Sequence, residues 1–177
     1  MSAEAVLVID LQTGMLDGVA EPPLHDADAL VARVKDVVAW ARRTGRPVAF
    51  IRHDGPEGDG LAPGAPGWPV WPALGQAADE PTFSKSVGDA FSNPELSAWL
   101  AGAGANTVIL TGAQTDMCVA ATVGGALAQG LAVTVVGDAH STVSWTEETV
   151  PQIIARHNHD FAAKGAAVMS AGDLVSA

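Results

Sequence analysis

The sequence is poor in thiol, in basic charge and in long apolar runs: one cysteine in 177 residues, and nine Lys and Arg against twenty Asp and Glu. A single cysteine closes no internal disulfide, which agrees with a reducing compartment. A formal net charge of −11 argues against nucleic acid and anionic membrane surfaces as partners, since both call for Lys/Arg patches; a small molecule is the expected partner. No uncharged apolar stretch reaches the ~18 residues of a membrane span. The N-terminus runs straight into Ala5-Val-Leu-Val-Ile9 without a basic leader or cleavage site, so the chain is expected to be cytoplasmic. Repeats, low-complexity tracts and a second domain are also missing.

What is there is 48% hydrophobic and suits one compact domain over residues 1–177. Apolar runs of strand length alternate with helical patterns, and this rhythm implies a mostly parallel sheet covered on both faces. The strands are expected at Ala5 to Ile9, Pro47 to Arg52, Thr82 to Ser84, Thr107 to Thr111, Ala132 to Val136 and Ala166 to Met169. Asp26 or Asp28 caps a helix with Leu30, Val31, Val34, Val37, Val38 and Ala41 on one stripe, ended by Gly45. A second helix starts at Asn93-Pro94, with Leu96, Trp99, Leu100 and Ala103 on one face. Ser144-x-x-Glu147 reads as a capping box before Ile153, Ile154, His157 and Phe161. The helix running through Cys118 to Leu127 is small and apolar nearly all round, which points to deep burial or to the interface of a homo-oligomer, dimer or tetramer.

The segment from His53 to Pro81 breaks the rhythm. It is rich in Gly and Pro, with Trp68 and Trp71 set among prolines, and loops this long inside a compact domain are usually functional or disordered. The indoles argue for order. Either they wall a pocket, as a lid would, or they pin the loop to the body of the domain.

Three reactive side chains fall at strand ends: Asp10, Lys85 and Cys118. In a doubly wound sheet the carboxyl ends of the strands share one edge, where ligands bind, so groups distant in sequence meet there. A thiol near a helix N-terminus feels the positive end of the helix dipole and backbone N–H groups suited to an oxyanion. Lys85 and the helix end are expected to lower the thiol pKa, and Asp10 to carry the proton. Each residue alone has an ordinary reading: a buried structural cysteine, a turn aspartate, a solvated lysine. Their joint placement is more specific.

Val8-Ile-Asp10-Leu-Gln12, Lys85 with Asp89-Ala-Phe91, Gly112-Ala-Gln-Thr-Asp-Met-Cys118-Val, Gly137-Asp-Ala-His140 and Ile154-Ala-Arg-His157-Asn158 together resemble the isochorismatase-like cysteine hydrolases. Nicotinamidases, N-carbamoylsarcosine amidases and streptothricin hydrolases are among them. The resemblance implies a single-domain three-layer α/β/α sandwich with a six-stranded, mostly parallel, Rossmann-like sheet. It implies Asp10, Lys85 and Cys118 as a catalytic triad, a non-proline cis peptide carried over to Ala113-Gln114, and an oxyanion hole from the Gln114 and Cys118 N–H groups. The implied activity is cleavage of a C–N bond, in an amide, carbamoyl group or lactam, through a Cys118 thioester.

The chain departs from the metal-dependent nicotinamidases. Arg52-His53-Asp54-Gly55 lacks their Asp-x-His pair, and no later His precedes His140, so no metal and no other cofactor is expected. Gln12, His53, Trp68 and Trp71 are the candidate pocket residues, while His140 and His157 read as structural. The Gly-Trp-Pro loop, Gln12 and Gln114 lean toward the streptothricin-hydrolase-like branch. Three alternatives stand beside this reading: a vinyl-ether hydrolase of the isochorismatase type without a covalent cysteine, a flavodoxin-like binding module, and an oxidant-sensing thiol. The binding module fits poorly, since Lys85 precedes the later strands and no G-x-G-x-x-G follows the first.

Overall fold

A computed structural model of the chain describes residues 3–19 and 21–177. Six strands, β1 (Ala3–Ile9), β2 (Val48–His53), β3 (Thr82–Lys85), β4 (Ala105–Ala113), β5 (Ala132–Ser141) and β6 (Ala167–Met169), form one parallel sheet in the order β3-β2-β1-β4-β5-β6. Along β1 the side chains alternate between two cores. Ala5, Leu7 and Ile9 face one layer, and Val6 and Val8 face the other. An unbroken apolar strand is what burial on both faces requires.

Helix α2 (Ala27–Arg43) places Leu30, Val34, Val37, Val38 and Ala41 against the second face, joined there by the C-terminal α6 (Ala171–Ser176) through Leu174. On the first face, Leu96 and Leu100 of α3 (Pro94–Gly102), Val123 and Ala126 of α4 (Ala120–Ala128) and Phe161 of α5 (Val150–Ala163) close the core. A one-turn helix, α1 (Thr13–Leu16), follows β1. No helix among the described residues is long and apolar enough to cross a membrane.

Local signals hold at several ends. Asn93 caps α3, its side chain accepting from the Glu95 N–H at 2.9 Å, with Pro94 in the first turn. Asp26 occupies the cap position of α2 in the left-handed conformation, yet makes no side-chain cap bond. The expected Ser144–Glu147 capping box is displaced: the box that forms is Thr149 with Gln152, one turn before Ile153, while the Ser144 hydroxyl ties the preceding turn to the Thr146 and Glu148 carbonyls. Pro151 explains the choice, because it fits only the first turn of a helix. On α3, Ala103 lies past the last turn and is exposed rather than on the buried face. The helix of Cys118 is apolar but only half covered: Thr122, Val123 and Ala126 are buried, Gly124 and Ala128 exposed.

The connections set up the active edge. From β1 the chain moves outward to β2 and β3, then crosses back to lay β4 on the other side of β1, which makes the β1/β4 boundary the topological switch point. Gly112 stands there opposite Ile9 at φ +119°, where any Cβ would run into the Ile9 carbonyl. Only glycine serves at that contact.

Candidate active site

Asp10 is the first residue beyond β1, Lys85 the last of β3, and Cys118 lies in a π-helical turn, Thr115–Val119, that joins β4 to α4. Asp10 adopts φ +49°, a left-handed conformation that Asp and Asn tolerate better than other side chains. The three meet. The Lys85 ammonium donates to Asp10 Oδ2 at 2.7 Å and to Cys118 Sγ at 3.3 Å, and both charged side chains are fully buried. A third contact runs to His53 Nδ1 at 3.3 Å. Ammonium has donors only, so that nitrogen is the acceptor.

Asp10 uses one oxygen for the lysine. The other, Oδ1, is buried with no hydrogen-bond partner among the described residues, and so has a lone pair free to take a proton. Burial, with the Asp10 charge next in weight, pushes the Cys118 thiol up to about 12, and Lys85 offsets only part of the rise. The expected lowering of the thiol pKa is thus corrected. Desolvation and a neighbouring carboxylate outweigh one ammonium, and the resting sulfur is a thiol beside a base.

Oxygen, nitrogen and sulfur donors of Asp10, His53 and Cys118 lie within 4.8 Å of one another, a spacing a metal ion could span. The ammonium of Lys85 already stands within 3.3 Å of each of these three side chains, and its positive charge opposes a cation there.

The turn bearing the cysteine is braced from behind. His140, 2% exposed, contacts the Thr115 hydroxyl through Nδ1 and Asn158 Oδ1 through Nε2, each at 2.9 Å. The Asn158 amide donates to the Gly137 carbonyl, which orients its oxygen toward the ring. Nε2 therefore carries the hydrogen and Nδ1 accepts from Thr115. Burial first of all lowers the His140 pKa, in keeping with a neutral ring. His157 stacks at an angle on Phe161, with ring centroids 5.7 Å apart, and stays outside the site.

A cavity of about 520 Å³ opens onto the sulfur. Cys118, Gln114 and His53 contribute to its wall, together with Met15, Leu24, Leu61, Met117, Val143 and Trp145, and with Asp17, Glu21 and Asp59. The Ala113–Gln114 peptide bond is cis. Of the four candidate pocket residues, only His53 lines this cavity. Gln12, Trp68 and Trp71 lie outside its wall, each for a packing reason. Gln12 is fully buried and staples two loops, accepting from the His53 N–H at 2.8 Å and donating to the His53 and Trp68 carbonyls at 3.0 and 2.8 Å. Trp68 lies beneath the Arg52 guanidinium, 3.5 Å from the ring centre, and its indole N–H donates to Asp54 at 2.8 Å. Trp71 packs onto the second core. The long loop is pinned by its indoles, and it is Leu61 with Asp59, Gly60, Pro66 and Gly67 that it lends to the cavity.

The wall residues not expected from the sequence come mainly from 13–24, after β1, and 142–149, after β5. Their position at the carboxyl ends of central strands was the available signal.

Residues 4–172 match the family model described as "Isochorismatase domain". Two streptothricin hydrolases of Streptomyces noursei share 33% and 34% identity with the chain over 139 residues, 78% of its length. Those residues make up 54% and 50% of the two relatives, so the chain spans about half their length. Among solved structures, an isochorismatase from Pseudomonas putida superposes with a TM-score of 0.88 at 26% identity, covering 96% of this chain and 89% of its own. A cysteine hydrolase from Pseudomonas syringae pv. phaseolicola gives a TM-score of 0.89 at 20% identity, covering 98% and 91%, a likeness of fold.

Proposed function

The chain belongs to the isochorismatase family of hydrolases, and from that premise we propose that it is a cysteine hydrolase that cleaves a C–N bond of a small molecule, an amide, carbamoyl group or lactam, through a thioester on Cys118. One observation carries the reading: a single buried ammonium bridges a buried carboxylate and a sulfur that opens onto a cavity. The streptothricin hydrolases among its relatives support C–N chemistry.

In the resting state the sulfur keeps its proton. As substrate enters, Asp10 takes that proton on its free oxygen while Sγ bonds to the carbonyl carbon, and the C=O electron pair moves onto oxygen. The Gln114 and Cys118 N–H groups receive the oxyanion. Collapse expels the amine, which takes the proton back from Asp10, leaving an acyl thioester. Water, deprotonated by the same carboxylate, then attacks the thioester and releases acid and thiol. Throughout, Lys85 keeps Asp10 in place and offsets the negative charge that passes between carboxylate and sulfur. A buried lysine paired to an acid could serve stability alone, but its second contact, to the sulfur, ties it to the chemistry.

A panel of small amides, carbamoyl compounds and lactams, read by amine or ammonia release and by intact mass, tests the proposal. Turnover is expected in the native chain and lost in Cys118→Ala, with an acyl adduct mapped to Cys118. Full activity after complete alkylation of Cys118 with iodoacetamide would rule out the covalent route and leave only a mechanism that needs no sulfur, such as the vinyl-ether alternative. Peroxide consumption without hydrolysis would favour an oxidant-sensing thiol.

A further inference from the structure

We propose that His53 orients the substrate: its Nε2–H donates to a hydrogen-bond acceptor on the acyl half, two or three bonds from the carbonyl carbon that Cys118 attacks. This rests on the cysteine-hydrolase reading and adds to it a substrate class, acyl groups that carry an oxygen or nitrogen acceptor at that distance. The residue is held at both ends. At the backbone, His53 closes β2 beside Lys85 of β3, and the buried Gln12 side chain takes both its N–H and its C=O. At the ring, Nδ1 accepts from the Lys85 ammonium at 3.3 Å, so the single hydrogen of the neutral imidazole is on Nε2. These bonds leave Nε2 without a partner among the described residues, on a half-buried side chain in the wall of the cavity over Cys118.

Among the wall's side chains only His53, Gln114 and Trp145 carry an N–H. Trp145 is 72% exposed, out at the rim. Gln114 has a donor and an acceptor at its tip, so by turning over it suits either kind of group. His53 alone offers a donor of fixed sign, because the catalytic lysine occupies its other nitrogen. A ring nitrogen of His53 also lies within 4.8 Å of the Cys118 sulfur. From the far side of the ring, a hydrogen bond of about 2.9 Å and two or three covalent bonds span the gap to a carbonyl carbon on that sulfur. The acyl half stays bonded to Cys118 until water releases it, so a contact to this half serves both chemical steps, whereas one to the amine is lost with the leaving group. A substrate without the acceptor leaves the N–H unpaired in a site it has dried, and that is the basis of its rejection.

Two pairs of p-nitrophenyl esters test it, each pair alike in size and differing in one ether oxygen. Methoxyacetate against butyrate puts the oxygen two bonds from the carbonyl carbon, and 3-methoxypropionate against pentanoate puts it three bonds away. Each kcat/KM is divided by the rate constant of the same ester with 2-mercaptoethanol, which removes the difference in intrinsic reactivity. The ether-to-alkyl ratio is expected to be about tenfold for at least one pair in the native chain. In His53→Asn, whose side-chain oxygen can stand in for Nδ1 beside Lys85 but which has nothing at Nε2, the ratio is expected to fall to one or below. In His53→Gln, whose longer amide reaches the place of Nε2, part of it is expected to remain. A general loss of activity cancels in the ratio, and for a variant too slow to assay, the same ratio is read from acylation of Cys118 by intact mass. A ratio near one for both pairs in the native chain, or one that His53→Asn leaves unchanged, overturns the inference while the cysteine mechanism stands. Turnover of all the esters that survives in Cys118→Ala overturns the cysteine reading itself, and the role of His53 with it.

Discussion

At Asp10 and Cys118 two expectations separate that usually travel together. The Asp10 charge raises the thiol pKa, and in the proposed mechanism the same carboxylate is the base, so removing it is expected to have opposite effects on ionisation and on turnover. Asp10→Asn is expected to alkylate faster with iodoacetamide at pH 8 to 9 than the native chain, and to hydrolyse its best amide about 10²- to 10⁴-fold more slowly. Slower alkylation together with retained turnover would contradict the assignment. Asparagine suits the left-handed backbone at this position, so the variant should fold. Lys85→Met acts in the reverse sense: losing the group that lowers the thiol pKa is expected to slow alkylation relative to the native chain at pH 8 to 9. The identities of the three reactive residues were legible because each type is scarce or out of place at a strand end. The state of the sulfur was not. It depends on how much water the fold removes, which no spacing along the chain encodes.

Among the elements, the strands were the most readable, since burial on both faces writes itself as continuous Val, Ile and Leu. β5 is the instructive exception. Expected to stop at Val136, it runs to Ser141, because an irregularity in the β4 pairing between Leu110 and Gly112 lets the polar Gly137-Asp138-Ala139-His140 stretch continue beside β4. Polar residues inside a strand hide it from any hydrophobic pattern, and here they are the ones that brace the cysteine turn. The Gly/Pro-rich loop was legible as ordered, but Gln12 was not legible as its anchor. Gln12→Ala leaves the His53 N–H and two carbonyls without their partner and is expected to cost about 2 to 4 kcal/mol in urea unfolding. Gly112→Ala, colliding with the Ile9 carbonyl where β1 and β4 part, is expected to cost roughly 3 kcal/mol or more. Full stability in either variant would show that these contacts do not hold the edge together.

For the whole molecule, the raised thiol pKa makes stability depend on pH. The unfolded cysteine ionises near 8.5, the folded one at about 12, so between these values the unfolded chain has lost a proton that the folded chain retains. Stability therefore falls as pH rises through that window, by up to about 1.4 kcal/mol per pH unit from this one group. Below pH 8 the two states hold the same proton and the term vanishes. Urea titrations of the native chain and Cys118→Ala should therefore run parallel at pH 7 and diverge above pH 9, with the native chain falling faster; parallel curves up to pH 10.5 would remove the buried thiol from the account.

The doubly wound architecture follows from strand order, and that order decides which residues meet: Asp10 and Cys118 flank the β1/β4 switch point, and Lys85 reaches them from β3 at the sheet's edge. The cavity wall was the least legible part of the site, because its members come from loops whose mutual approach depends on the finished sheet.

The central claim is that this gathering makes one sulfur a nucleophile that is acylated and then regenerated. Mixing the chain with p-nitrophenyl acetate and quenching at intervals for intact mass and peptide mapping tests it most directly. The account predicts a burst of p-nitrophenolate, one acetyl group on the peptide containing Cys118, and loss of that group as steady turnover proceeds. Steady release of p-nitrophenolate with Cys118 unmodified at every time point, or with the same rate in Cys118→Ala, would contradict it.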